Sequence, residues 1–220
     1  MAGMLRLTLL VAAVSASVAQ DRRIAIDNDQ VRVLVVTQAP NQKTTLHDHK
    51  MNRVMVYLQP GKQIFEWNGG KKTALTWKAG EAKWSPAAGM HTAEIVSGQP
   101  VTIVEIELKK PADSSKRPGG PLDPVRLDPK KYKVLFENDQ TRVLHVRIDA
   151  GKSVPMHEHA LNRVITHLSD VKLRATTPDG KTQIVERKAG DVSWWPAPSK
   201  HQEENLNDTR FEVVVVELKT

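Results

Sequence analysis

Two histidine pairs stand out by type and spacing, His47 and His49 in "LHDHKMNRVMVYL" and His157 and His159 in "MHEHALNRVITHL". On a strand, residues two apart point to the same side, so each pair would present both imidazoles on one face. A third histidine from another strand, His91 for the first pair and His201 for the second, would complete a trio. Three neutral imidazoles suit Fe, Mn, Ni, Cu or Zn and leave coordination positions open for water or substrate.

An arginine follows each pair, Arg53 and Arg163, at the same parity as the histidines and therefore pointing the same way. A cation is repelled by a divalent ion, so these arginines do not ligate it. A guanidinium a little further off would orient a carboxylate or another anion. The alternative is an ion pair with a nearby acid such as Glu94, Glu204 or Glu203. Glu203 lies two residues from His201, shares its face, and is also a candidate fourth ligand in the second half. Tyr57 and His167 are further inward candidates by parity, so the substrate-binding set is Arg53, Arg163, Tyr57, His167 and Glu203. Trp84, Trp194 and Trp195 read as core aromatics that also wall a pocket.

The elements that must position these residues come in duplicate. Residues 24–110 align with 134–220 without a gap at a constant offset of 110, with about 28 identities in 87 positions. Such self-similarity marks two copies of one domain. Within each copy the apolar runs are short and β-branched, for example "VRVLVV" and "TRVLHV", as suits pleated, half-buried strands. Turn residues separate them, "NGG" at 68–70 and "PDG" at 178–180. No segment has helical length and period. The Asn-Asp-Gln triplets at 28–30 and 138–140 read as turns made by side-chain to backbone hydrogen bonds. The expected organisation is an N-terminal domain over 20–109, a Pro/Gly-rich exposed linker over 110–130 and a C-terminal domain over 131–220.

These motifs resemble those of the cupin superfamily, small jelly-roll barrels with two signature motifs. Gly151, His157 and His159 match the first motif, and Gly190, Pro196, His201 and Asn205 match the second with one extra residue before the histidine. In the first half His47, His49, Gly80, Pro86, Gly89 and His91 match, while Asn41 stands where the first glycine would be and Ile95 where the asparagine would be. The resemblance implies an all-β fold of two tandem cupin-type jelly-roll β-barrels. Many cupins carry a glutamate as fourth ligand where this chain has Arg53 and Arg163. A trio lacking that acid is similar to the site of three-His cupin oxygenases such as cysteine dioxygenase, where the resemblance implies an arginine that holds the substrate carboxylate.

Residues 1–19 carry one charge, the apolar run "LTLLVAAVSA" and a small-residue "SVA", which reads as a secretory signal peptide cut before Gln20. A secreted or periplasmic location is expected, with no stable membrane insertion after the signal is removed. The chain has no cysteine, which excludes disulfides, Cys-ligated zinc and thiol catalysis. Its net charge of +7 is scattered and only 5% of residues are aromatic, so nucleic acid is not an expected partner. The leading expectation is an exported double cupin that binds a divalent transition metal through its His trios and acts on a small anionic organic molecule, with an oxygenase as the most concrete version. The alternatives are a non-catalytic sugar- or carboxylate-binding module with degenerate metal sites, and a self-associating structural assembly.

Overall fold

The structure, a computed structural model, describes residues 21–220; the expected signal peptide lies outside the described residues. The β-branched runs form strands as expected. In the first half these are β1 (Asp21–Asp27), β2 (Val31–Gln38), β3 (His47–His49), β4 (Arg53–Tyr57), β5 (Gly61–Trp67), β6 (Lys72–Trp77), β7 (Ala82–Ser85), β8 (Ala88–Ile95) and β9 (Val101–Leu108). They build two antiparallel sheets, β1-β2-β9-β4-β7 and β3-β8-β5-β6. The second half repeats the pattern with β10 (Tyr132–Glu137), β11 (Thr141–Ile148), β12 (Ser153–His159), β13 (Arg163–His167), β14 (Val171–Thr176), β15 (Thr182–Arg187), β16 (Val192–Trp195), β17 (Ser199–Asn205) and β18 (Phe211–Leu218). Its sheets are β10-β11-β18-β13-β16 and β12-β17-β14-β15, so the chain folds as two jelly-roll barrels in tandem.

Local chemistry explains the turns. Gly69, Gly70 and Gly180 take positive φ in the tight hairpins between β5 and β6 and between β14 and β15. Asn41 has φ of 58° where its counterpart Gly151 has 63°. Asparagine is one of the few residues that tolerate this left-handed region, so its place at the motif's glycine costs the fold little. The Asn-Asp-Gln turns form as expected: Asn28 Oδ1 accepts from the amides of Gln30 and Val31, and Asn138 Oδ1 from those of Gln140 and Thr141.

Each barrel has an apolar interior, around Tyr57, Trp77, Ile95 and Ile103 in the first and Leu144, Ile148, Val154 and Phe211 in the second. A third cluster belongs to both. Val33, Val54, Val104 and Ile106 of one large sheet pack with Val143, Val164, Val214 and Val216 of the other, so the two sheets meet face to face. Trp84 and Trp194 pack against this shared core, in keeping with their reading as core aromatics.

The segment expected to be an exposed, helix-free linker differs in its second part. One helical turn, α1 (Pro124–Leu127), is capped by Asp123, whose Oδ1 accepts from the Val125 amide at 2.9 Å. An N-cap aspartate followed by proline at the first helical position is a start signal even for a single turn. Asp123 also takes the Arg142 guanidinium at 2.7 Å with both side chains buried, and Leu122 O accepts from the Glu158 amide. This stretch is therefore strapped onto the second barrel.

Candidate metal centres and their pockets

Cross-strand register brings the predicted trios together. His47 pairs with His91 across β3 and β8, and His157 with His201 across β12 and β17. Within each trio, one nitrogen per ring lies within 4.8 Å of the others. The ring orientations are set from behind. Nδ1 of His47, His91 and His157 sits 2.7 to 2.9 Å from the carbonyls of Thr45, Gly89 and Pro155, and Nδ1 of His159 is 3.1 Å from Glu217 Oε1. An Nδ1–H donated to oxygen leaves Nε2 with its lone pair free, which is how metal-binding imidazoles are usually held. Burial depresses the pKa of His91 and His157, and that of His159 far more, the Arg163 charge adding to the effect on His159. His49 falls to about 3 through burial and then the Arg53 charge. The neutral ring is the ligating form, so the donor set and its protonation fit a divalent transition ion.

The second centre has polar groups at its edge that the first lacks. Glu203 Oε1 lies 3.1 Å from His201 Nε2, and the Tyr132 hydroxyl donates to Glu203 Oε2 at 3.2 Å and lies 3.3 Å from His157 Nε2. Glu203 is thus beside the trio as expected; burial pushes its carboxyl up, but the hydrogen bond with His201 outweighs this and holds it well below the usual range. Tyr132 was not foreseen. At the offset of 110 its counterpart is Arg22 and that of Glu203 is Ala93, so these are places where the copies diverge.

Of the ion pairs weighed for the arginines, one forms, with a different acid: Arg53 pairs with Glu105, while Arg163 pairs with none among the described residues. Neither bonds to Glu94, Glu204 or Glu203; Glu204 instead pairs with Arg174 at 2.6 Å. Arg53, 5% exposed, is held by Glu105 Oε2 at 3.3 Å and Ser85 Oγ at 2.9 Å, and its Nη1 lies 2.7 and 2.9 Å from the two ring nitrogens of His49. Position 215, equivalent to Glu105, is Val215, and position 195, equivalent to Ser85, is Trp195. Arg163, 2% exposed, therefore has no carboxylate partner among the described residues. Its Nη2 reaches Ser199 Oγ at 3.3 Å, its guanidinium stands 5.8 Å from the Trp195 ring centre, and Nε and Nη1 have no hydrogen-bond partner. Also unforeseen were Glu217, which meets His159 and is bound by Arg142, and Glu107, which lies near His49 and is bound by Arg32. Their parity on β9 and β18 with the barrel-facing residues was the available signal.

Each barrel opens into a cavity. That of the first half has a volume of ≈ 720 Å³ and that of the second ≈ 500 Å³. Met55, Tyr57, Phe65 and Trp67 line the first, and Ile165, His167, Ala175 and Thr177 the second, together with Arg163, Trp195, His201 and Glu203. Tyr57 faces its cavity but is spent on packing, stacked on Trp77 with ring centres 4.3 Å apart. His167 is 5% exposed, its Nε2 3.2 Å from Ser193 Oγ and its Nδ1 unpartnered.

No protein-family profile matches this sequence, and no curated protein does. Solved structures do resemble the fold. AerE from Microcystis aeruginosa superposes with a TM-score of 0.61 at 14% identity over 87% of this chain and 88% of that one. A cupin 2 conserved barrel domain protein from Leptotrichia buccalis gives 0.54 at 14% over 91% and 89%. A variant of oxalate decarboxylase from Bacillus subtilis gives 0.60 at 12% over 86% and 69%. At these identities the likeness concerns the fold, and the fold is that of tandem cupin barrels.

Proposed function

We propose that the protein is an exported double cupin that binds a divalent transition ion at a His trio and acts on a small organic anion. Arg163 carries the reading. A guanidinium buried to 2% exposure with two of its nitrogens unpartnered is costly to leave in that state, and it lines the same cavity as His201 and Glu203. A carboxylate or similar anion would be met end-on by Nη1 and Nη2, the fork that matches its geometry, and would so give Nη1 a partner.

His157, His159 and His201 would hold the ion through Nε2, and a bound ion would supply a Lewis-acidic centre with open positions. Arg163 would anchor the anionic end of the ligand while Ile165, Leu173 and Val185 exclude water from the rest of it. Glu203, kept as a carboxylate, can accept a proton or a hydrogen bond from the ligand, and Tyr132 holds it in place. The resemblance to oxalate decarboxylase, which is described as having Mn(II) centres, is in keeping with a metal-dependent role on a small acid. An oxygenase remains the most concrete enzymatic version. In the first half, Arg53 seated on His49 favours the other reading, a binding pocket without a metal.

The test uses untagged protein from expression of the full chain. Intact mass should begin at Gln20, which tests export. Elemental analysis should show bound Mn, Fe, Co, Ni, Cu or Zn, since sites of this type retain metal tightly. Small carboxylates should raise the melting temperature by mass action, and Arg163→Met should remove that rise. Less than about a tenth of an ion per chain, with no gain on reconstitution, would sink the metal reading. A carboxylate effect that survives Arg163→Met would sink the role of Arg163.

A further inference from the structure

We propose that the two His trios are not equivalent: the trio of the second half is the metal site, and the trio of the first half is closed to metal by Arg53. The inference rests on the metal reading above and narrows it to one half. Two observations point the same way.

The first is occupancy by a cation already in the chain. Arg53 Nη1 lies 2.7 and 2.9 Å from Nδ1 and Nε2 of His49, so the guanidinium is seated against the His49 ring and an ion ligated by His49 would have to share that space with a positive charge. The acids next to it are committed likewise. His49, Glu105 and Glu107 form a cluster that could itself attract a cation, and the guanidinium sits within hydrogen-bond reach of His49 and Glu105.

The second is what fixes Arg53 there. Glu105 and Ser85 hold it from two sides, and neither exists in the second half, where Val215 and Trp195 take those positions. Arg163 is drawn to Ser199 and Trp195, and no hydrogen bond links it to His159. His159 bonds instead to Glu217, which increases its basicity towards a metal.

Equilibrium dialysis against Co(II), with visible absorption of the bound ion as the second readout, decides the matter. The wild-type protein should bind one ion per chain. His47→Ala should keep that ion and His157→Ala should lose it. The double variant Arg53→Met/Glu105→Val, which removes the blocking cation together with its partner and so leaves no buried acid unpaired, should bind two. This gain needs a folded protein and stands even if His157→Ala does not fold. Two ions per wild-type chain, a single ion lost in His47→Ala, or a double variant that stays at one would overturn the inference while leaving a metal-dependent function intact. No bound Co(II) in any form would overturn the metal reading itself.

Discussion

Single residues set what each barrel can bind. Arg163 and Arg53 occupy equivalent positions, yet one has a carboxylate within reach and the other has none, because residue 105 is glutamate and residue 215 is valine. His167 adds a pH response to the second pocket. Burial, and then the Arg187 charge, pull it down to about 4, against 6.5 for an exposed ring. Above pH 6.5 both folded and unfolded forms hold it neutral and its contribution is complete. As pH falls below 6.5 the unfolded chain takes up a proton that the folded one refuses, so stability is lost down to about pH 4. Between pH 7.5 and 4.5 the wild type should lose on the order of 2 to 3 kcal/mol more than His167→Leu, read from urea midpoints at the two pH values. Equal losses would mean that His167 is not held neutral in the fold.

At the scale of elements, strand pairing converts sequence spacing into chemistry. The pairs His47–His91 and His157–His201 arise because β3 runs antiparallel to β8 and β12 to β17; a register shift falls between His47 and His49 in the first half and between Val154 and His157 in the second, where His157 to His159 pair regularly. Tight turns hold the neighbouring sheets in position. Gly80 and Gly190 have φ of 74° and 88°, and each abuts a leucine of the other barrel, Leu168 and Leu58. A Cβ on Gly80 would stand 2.9 Å from Leu168 Cδ1, whereas one on Gly190 would stand 3.6 Å from Leu58 Cδ1. Alanine at either position carries the strain of the left-handed region, about 1 to 3 kcal/mol. Gly80→Ala adds a clash and should destabilise more than Gly190→Ala in chemical unfolding; the reverse order would show that Leu168 gives way freely. Most strand identities and both hairpins were legible from β-branched runs and turn residues. The helical turn at Pro124–Leu127 was masked by a linker-like composition, because one turn is too short to show a helical period.

At the scale of the whole molecule, the barrels share a core and a pair of symmetric clasps. Asn52 donates to Gln140 at 2.6 Å and Asn162 to Gln30 at 2.5 Å, the same contact made twice through the duplicated triplets. Gln30 also donates to the Thr220 carbonyl and Gln140 to that of Lys110. The Asn-Asp-Gln motifs are therefore turns that also tie the two halves together. Valines buried between the large sheets each contribute about 1.5 kcal/mol or more, and separation would expose all of them. The protein should melt in one calorimetric transition with matching van't Hoff enthalpy, and either half expressed alone should aggregate or fail to fold. Two separate transitions would show that each barrel is stable by itself.

The sequence alone determined the duplication, the all-β class and the two trios. The duplication follows from a constant offset, the class from β-branched runs and turn residues that permit few backbone conformations, and the histidine pairs from a two-residue alternation, with the third histidine of each trio matched through the motif spacing shared with cupins. Only the tertiary structure decided which groups surround the trios. Tyr132, Glu105, Glu107 and Glu217 reach them from strands distant in sequence, and whether an arginine is paired or free depends on which residue the next strand places opposite it. That information lies in the register between strands, and in the positions where two copies of one domain ceased to be the same.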